Sequence, residues 1–214
     1  DRVDVAKGSD AAFVRIIDYK MQNKTLRLSD IYYGLNWQLP LYLEALLRNA
    51  KEGEQLRPAG MFYVPVQEIV KNVRFLDEAG ATVKLQGLAL LDAEALLLAE
   101  RELKPGAHAK TMHIYWKKDN TFGLSALGLS PQEYNFMQSC LQKQVAESLE
   151  HLQAGEIRQR PLEQNGRLVC EYCDFYTVCA VDLAVERDSR PVEKLGQTEV
   201  LRRWQRQYPQ TEQE

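Results

Sequence analysis

The chain has 214 residues, 45% of them hydrophobic and 27% charged, which is ordinary for a soluble globular protein with one sizeable core. It contains no run of about eighteen apolar residues, so the composition excludes a helix that spans a membrane. The formal net charge of -3 argues against a protein that holds nucleic acid through a strong overall positive field. It leaves room for an enzyme that contacts one DNA strand locally.

Two strands are predicted at the start of the chain. Residues 1–6 and 12–19 are rich in β-branched and apolar residues, and the polar stretch 7–11 between them has the length of a hairpin loop. The sequence begins inside the first of these strands and without an initiator Met. We therefore expect a piece of a longer protein, in which a missing signal peptide carries no information.

The second strand ends in an acid and a base two residues apart, Asp18 and Lys20, which share a face because alternate side chains of a strand point the same way. A carboxylate that can hold a divalent cation, beside an ammonium that can stabilise negative charge, is a minimal set for metal-assisted phosphodiester hydrolysis. By pattern alone, a solvated surface pair is the commoner explanation. Parity puts Asp1 and Asp4 on opposite faces, and the unknown register leaves open which of them joins Asp18.

A helix is predicted next, beginning at Ser29 or Asp30, either of which is a good N-cap, and ending near residue 50. Pro40 lies inside this range and is expected to kink the helix or to weaken one hydrogen bond.

Gln38 and Tyr42 lie one turn apart on the predicted helix. Taken alone, this pair indicates a helix boundary with a packed tyrosine.

A further strand is predicted at 59–66, with an edge near Pro65.

Three further elements follow in the chain. Asp92 can cap a short helix that runs to Leu103, and residues 118–120 centre a hairpin. The stretch 130–133 is a capping box with proline at the first helical position, and it opens a long helix that Gly155 closes.

The spacing of the cysteines matters more than their number. Cys140 stands alone within the long predicted helix and is expected to be a small core residue. Cys170, Cys173 and Cys179 lie within ten residues of one another, a spacing that favours metal or cluster ligation over a disulfide framework.

From Arg187 onward the chain is polar and charged, with a possible short helix that contains Arg202, Arg203, Trp204 and Arg206. This segment is expected to be either solvated or a docking segment, without a core of its own.

Taken together, these features resemble the RecB-like branch of the PD-(D/E)XK nucleases in its iron–sulfur form. The features are an acid-bearing hairpin that ends in Asp-Tyr-Lys, a helix with Gln-x-x-x-Tyr, and a terminal Cys-x-x-Cys with a third cysteine after it. Within that branch the chain is similar to the AddB family, one of the two components of the bacterial AddAB helicase–nucleases, from residue 1 to about residue 182. The stretches that carry this likeness are Asp1–Asp4, Ile17–Lys20, Tyr33–Leu35, Gln38–Leu43, Ala59–Tyr63 and Cys170–Asp174.

The resemblance implies an α/β fold of the restriction-endonuclease type, with a mixed central sheet flanked by helices. It also implies three parts of the chain. These are a nuclease core over residues 1–160 with an insertion at about 67–125, an iron–sulfur cysteine segment over 161–182, and a polar tail over 183–214.

Site residues are implied in the same way. Asp1 matches the metal-binding acid that ends a Gly-x-x-Asp motif, and Asp4 is the runner-up. Asp18 matches the second metal ligand, and Lys20 matches the catalytic lysine. The main-chain carbonyl of Tyr19, between them, is an expected additional metal ligand.

The motif residues outside the hairpin have implied roles as well. Gln38 and Tyr42 match the Gln-x-x-x-Tyr motif, which in this branch supports the site and contacts DNA. Cys170, Cys173 and Cys179 match three ligands of a [4Fe–4S] cluster whose fourth cysteine lies upstream of the nuclease core in the family. The implied cofactors are therefore Mg²⁺ or Mn²⁺ and, in the intact protein, a [4Fe–4S] cluster that we expect to be incomplete in this sequence.

The implied function is a metal-dependent DNA exonuclease domain that hydrolyses one strand of a broken duplex end, 5′ to 3′, for recombinational repair. The implied partners are DNA and an AddA-type helicase/nuclease subunit, and the implied location is the bacterial cytoplasm at the nucleoid. An alternative from another class is a catalytically silent, cluster-stapled structural or DNA-binding module of a larger complex. The intact Asp18 and Lys20 argue against silence, and the acidic net charge argues against pure DNA binding.

Overall fold

The structure, a computed structural model, describes residues 1–51, 53–66, 84–123, 127–164, 166–179 and 189–209. The chain divides into two compact units, Asp1–Ser139 and Cys140–Glu214. No helix among the described residues is both long and apolar enough to cross a membrane. Within the insertion predicted at 67–125, residues 67–83 and 124–126 lie outside the described residues, and the predicted domain boundaries stay predictions.

The first unit contains a central sheet, a small hairpin and helices. In chain order its elements are β1 (Arg2–Lys7), β2 (Ala12–Lys20), α1 (Leu28–Tyr32), α2 (Gln38–Arg48), β3 (Leu56–Pro65), β4 (Gln86–Leu90), α3 (Ala93–Ala99), β5 (Ala107–His108), β6 (Tyr115–Trp116), β7 (Gly128–Leu129) and the first part of α4 (Pro131–Gln153). The two strands predicted at 1–6 and 12–19 are confirmed as β1 and β2.

The central sheet has the strand order β1-β2-β3-β4-β7 and mixed directions. β1 is antiparallel to β2, β2 is parallel to β3, β3 is antiparallel to β4, and β4 is parallel to β7. The parallel step from β2 to β3 needs a long crossover, and α1 and α2 supply it. The predicted fold class, a mixed sheet flanked by helices, is confirmed.

Both faces of β2 are buried, which explains its nearly continuous apolar sequence. On one face, Ile17 belongs to a buried cluster with Phe62 of β3, Leu96 of α3 and Trp116 of β6. α2 lies against β2 and β3 and buries Leu39 and Leu43. The sheet is thus held in place around the end of β2 where Asp18 and Lys20 lie.

The single helix predicted over 29–50 is wrong, because two helices occupy this range. The chain turns between them at Gly34, whose φ of +78° lies in the left-handed region that glycine adopts without a Cβ clash. The indole Nε1 of Trp37 donates a 2.9 Å hydrogen bond to the carbonyl of Ile31 and closes this turn.

The predicted cap and the predicted kink are wrong for local reasons. Ser29 and Asp30 lie inside α1, whose N-cap is Arg27. Pro40 is the third residue of α2, in the first turn, where a backbone N–H has no partner inside the helix. Its missing N–H therefore removes no hydrogen bond from the helix.

The other two helix starts were correctly predicted. The Asp92 carboxylate accepts a 3.0 Å hydrogen bond from Ala95 N, although α3 ends at Ala99, before the predicted end at Leu103. In the capping box of α4, Ser130 N donates to Glu133 Oε2 at 2.8 Å and Glu133 N donates to Ser130 Oγ at 3.2 Å.

The second unit contains the rest of α4 and a group of short elements. These are β8 (Leu162–Gln164), β9 (Arg167–Leu168), a 3-10 turn (Val169–Tyr172), α5 (Tyr176–Cys179), β10 (Arg190–Val192) and α6 (Gln197–Gln207). The strands form a small sheet in the order β10-β8-β9. Cys140 is 1% exposed within α4, and burial raises the pKa of its thiol to about 11, so its predicted role as a small core residue is confirmed.

The possible short helix near the C-terminus is confirmed as α6, and of the two alternatives for this segment, a solvated tail is wrong for one face of the helix. Val200 and Trp204 are fully buried, and Tyr208 is nearly so. The hydroxyl of Tyr208 donates a 2.7 Å hydrogen bond to Glu147 of α4, and the ammonium of Lys143 lies 5.4 Å from the centre of its ring. These three buried side chains are spaced by four residues, as on one face of a helix. The many charged residues between them made this pattern hard to recognise in the sequence.

Candidate active site at the end of β2

Asp18 and Lys20 form an ion pair at the end of β2. Lys20 Nζ lies 2.6 Å from Asp18 Oδ2, so the prediction that they share a face is confirmed. The Asp18 residue is 3% exposed, whereas the Lys20 side chain is partly exposed. The contact with Asp18 raises the pKa of Lys20 above its usual range despite partial burial. The lysine is therefore a cation at neutral pH.

The Asp18 carboxylate is buried and has a partly exposed partner. Asp18 Oδ2 is buried and lies 2.6 Å from Lys20 Nζ, and the hydrogen bond to Asp18 is the largest cause of the raised pKa of the lysine. Within the described part of the chain, no other group donates a hydrogen bond to Oδ2. A buried carboxylate oxygen with this single partner fits a site for a hard divalent cation.

The strand register brings Asp1 to Asp18. Arg2 is opposite Ile17 in the last pair of the β1–β2 ladder, and the same register continued by one residue would place Asp1 opposite Asp18. Directly opposite residues of such a pair point to the same face. Asp1 is exposed and precedes β1, so its role as a metal ligand stays a prediction that the register favours.

Asp4 lies on the other face of the hairpin. It is opposite Arg15, which is separated from Asp18 by an odd number of residues and therefore points the other way. Its carboxylate accepts hydrogen bonds from Arg15 Nε at 2.8 Å and from Arg2 Nε at 2.5 Å. The structure thus favours Asp1 over the runner-up Asp4 as the companion of Asp18.

The main-chain carbonyl of Tyr19 points away from β3. Lys20 O accepts a 2.8 Å hydrogen bond from Val66 N, at the end of β3. Carbonyls of neighbouring residues in a strand point to opposite edges, so that of Tyr19 is directed to the edge where β1 lies. This orientation is compatible with the predicted ligand role of the carbonyl, which stays a prediction.

The motif residues of α2 lie one turn apart on an exposed part of the helix. Gln38 is the first residue of α2, and its Nε2 lies 3.5 Å from the hydroxyl of Tyr42. The side chain of Tyr42 is 46% exposed, so it is not the packed tyrosine of the simpler interpretation. α2 packs against β2 and β3. The roles of Gln38 and Tyr42 in the site stay predictions.

Sequence reasoning did not identify Tyr63 as a site residue. Tyr63 is opposite Asp18 in the register of β2 and β3, and it is 1% exposed. Burial raises the pKa of its hydroxyl, and that hydroxyl lies 3.5 Å from Asn36 Oδ1. The centre of its ring is 5.5 Å from Lys20 Nζ and 5.0 Å from Lys24 Nζ. The sequence could not reveal this neighbour, because the alternation of side chains along β2 does not show which residue of β3 lies opposite Asp18.

The three C-terminal cysteines are near one another but do not form a complete ligand set. All are free thiols, and Cys173 N donates a 3.0 Å hydrogen bond to Cys170 O at the 3-10 turn. The pKa of Cys170 is raised first by burial and then by the thiols of Cys173 and Cys179. Within the described ranges, no group of three cysteine, histidine or acidic side chains is arranged to hold a metal. A thiolate-bound iron–sulfur cluster needs four ligands, so the residues described do not fit one by themselves.

Comparison with known proteins agrees with this geometry. A family model described as the PD-(D/E)XK nuclease superfamily matches residues 1–180. AddB proteins, named as subunits of an ATP-dependent helicase/deoxyribonuclease, are 31% identical over 194 residues in Thermoanaerobacter sp. (strain X514) and 36% identical over 195 residues in Desulforudis audaxviator (strain MP104C). Each match covers 87% of this chain and 17% of the relative. The AddB-like resemblance is therefore confirmed, and the chain spans about a sixth of the length of these relatives.

The carboxylate of Asp4 gives a pH-dependent prediction. Burial alone would raise its pKa, but the hydrogen bonds from Arg2 and Arg15 outweigh burial and lower it. A lowered pKa in the folded state means that the ionised group stabilises the fold above the unfolded-state pKa. We expect Asp4→Asn to lower the free energy of unfolding at pH 7 by at most about 1 kcal/mol, because the pair is partly solvated.

This difference should shrink as the pH falls below the ordinary aspartate pKa of about 4 and through the lowered pKa of folded Asp4. Urea unfolding at several pH values measures it, and Asp10→Asn, in the exposed hairpin loop, is the matched control. An Asp4→Asn penalty that does not decrease as the pH is lowered below about 4 would contradict the assigned role of the two arginines.

Proposed function

The chain belongs to the PD-(D/E)XK nuclease superfamily, and from this membership we propose that it is a divalent-metal-dependent DNA nuclease domain. The observation that carries the proposal is the buried Asp18 carboxylate with Lys20 Nζ at 2.6 Å. A carboxylate and an ammonium on one face suit the hydrolysis of a phosphodiester.

Three oxygen donors would hold Mg²⁺ or Mn²⁺. They are the carboxylates of Asp18 and Asp1 and the main-chain carbonyl of Tyr19. Mg²⁺ usually takes one or two carboxylates together with waters and phosphate oxygens, so this donor set fits. When bound, such an ion supplies a water of lowered pKa and offsets charge on the reacting phosphate.

Lys20 acts as a cation and not as a base in this proposal. Its raised pKa keeps the ammonium charged at neutral pH, so it can donate hydrogen bonds to the attacking water or to a phosphate oxygen. Gln38 and Tyr42 are exposed and lie one turn apart, and they would contact the bound strand with an amide and a hydroxyl.

For the longer protein we propose an exonuclease that degrades one strand from a broken duplex end, 5′ to 3′, together with an AddA-type helicase/nuclease subunit in the bacterial cytoplasm at the nucleoid. The names of the relatives, which include both helicase and deoxyribonuclease, support the part of this proposal that places a nuclease within a helicase–nuclease. The polarity, the AddA-type partner and the location rest on the family resemblance. The match covers 17% of the relative's length, which supports a nuclease domain within a larger protein.

The proposal is tested by cleavage of end-labelled DNA with Mg²⁺ or Mn²⁺, using the full-length protein with a partner subunit whose own nuclease site has been inactivated. We expect Asp18→Asn and Lys20→Ala each to slow cleavage by about a hundredfold to a thousandfold. Asp18→Asn removes a carboxylate that would hold the metal ion, and Lys20→Ala removes an ammonium that would stabilise the reacting phosphate. Asp10→Asn should cleave like the wild type. Cleavage by Asp18→Asn at the wild-type rate would refute the assignment, and a wild type that never cuts DNA would favour the silent module.

The cysteines support a second part of the proposal. Cys170, Cys173 and Cys179 would supply three of the four thiolates of a [4Fe–4S] cluster in the longer protein. Protein prepared without oxygen should then contain about four irons per chain and absorb visible light, and Cys173→Ala should lose both properties. The matched control is Cys140→Ala, since Cys140 is buried within α4. Iron-free wild-type protein from such a preparation would overturn the cluster proposal.

A further inference from the structure

A second lysine stands beside the site. Lys24 is exposed in the loop between β2 and α1, and its Nζ lies 5.0 Å from the centre of the Tyr63 ring. Lys20 Nζ lies 5.5 Å from the same centre. Two ammonium groups thus share one aromatic ring, whose negative face attracts cations.

The position of Lys24 is set by the backbone that follows it. Leu26 is fully buried, and its N–H donates a 3.3 Å hydrogen bond to the carbonyl of Gln86 on β4. The Thr25 hydroxyl lies 3.3 Å from the side-chain oxygen of the same glutamine. Gln86 is opposite Tyr63 in the pairing of β3 and β4. The loop is therefore anchored on the strand next to Tyr63, which keeps Lys24 over the ring.

The charges near the site make Lys24 the lysine that is available to an anion. The Lys20 ammonium is already paired with Asp18, and the guanidinium groups of Arg2 and Arg15 are bound by Asp4 on the opposite face. Among the described residues, no carboxylate forms an ion pair with Lys24. Because the whole chain carries a net charge of -3, attraction for DNA must come from such local cations.

Tyr63 itself is not available to a nucleotide base. Aromatic residues that bind single strands offer an open face on which a base can stack. The ring of Tyr63 is 1% exposed and lies under two lysines. Its part in recognition is therefore to support the ammonium groups.

We propose that Lys24 binds a backbone phosphate of the DNA strand next to the phosphate that is cleaved, and that Tyr63 positions Lys24 and Lys20 relative to each other. The proposal rests on the proposed nuclease function and adds a substrate-positioning residue to it. Because the contact is to phosphate, it contributes affinity without sequence preference.

The first test is DNA binding without metal. The full-length protein is titrated with a fluorescent single-stranded oligonucleotide in EDTA at several salt concentrations. We expect Lys24→Ala to weaken binding on the order of fivefold and to reduce the slope of log affinity against log salt by about 0.7, the value for one lost contact on a single strand. Lys24→Arg should recover most of the affinity, since an arginine also binds phosphate. Lys104→Ala, at an exposed lysine in the loop after α3, is the matched control.

The second test separates positioning from chemistry. In cleavage assays, Lys24→Ala should raise KM more than it lowers kcat, because a contact away from the reacting phosphate mainly affects binding. Tyr63→Phe keeps the ring and should weaken binding less than Tyr63→Leu, which removes it.

The outcomes of the two proposals can be told apart. Wild-type affinity and an unchanged salt slope in Lys24→Ala would overturn the role of Lys24, and so would an equal loss in Lys104→Ala. Normal cleavage by Asp18→Asn would overturn the nuclease function instead. The metal-free binding data would still decide whether Lys24 contacts DNA.

Discussion

The burial of the Asp18 carboxylate at the end of β2 is the constraint on which the proposed site depends. Removing a carboxylate from water costs several kcal/mol, and the partner of this one, Lys20, is partly exposed. Among the described residues, no group other than the Lys20 ammonium donates a hydrogen bond to Asp18 Oδ2. Such a carboxylate fits the proposed role of Asp18 as a ligand of a divalent cation.

The rest of the first unit serves to place this pair. Three neighbouring strands put Asp18, Tyr63 and Gln86 side by side, and the hairpin ladder leads from Arg2 towards Asp1. Their spacing depends on backbone hydrogen bonds, which are hard to shift by one residue without turning every side chain to the other face. The register of the sheet is therefore what converts a two-residue spacing in the sequence into a site.

Part of this could be predicted from the sequence, because local rules govern it. The alternation of β2 placed Asp18 and Lys20 on one face, and the Asp92 and Ser130 caps were readable from side-chain chemistry. Strand register and tertiary packing are not local. Parity along β1 could not separate Asp1 from Asp4; the family resemblance favoured Asp1, and the pairing with β2 agrees. Tyr63 was recognised as a neighbour of Asp18 only through its strand partner. Gly34 has a positive φ that the helical apolar pattern around it concealed.

Binding of Mn²⁺ by the full-length protein, followed by the loss of the free-ion EPR signal, tests the central claim most directly. The register predicts that Asp18→Asn and Asp1→Asn each weaken binding by about tenfold or more, while Asp4→Asn binds like the wild type. Wild-type Mn²⁺ affinity in Asp18→Asn, or a loss in Asp4→Asn without one in Asp1→Asn, would contradict the account.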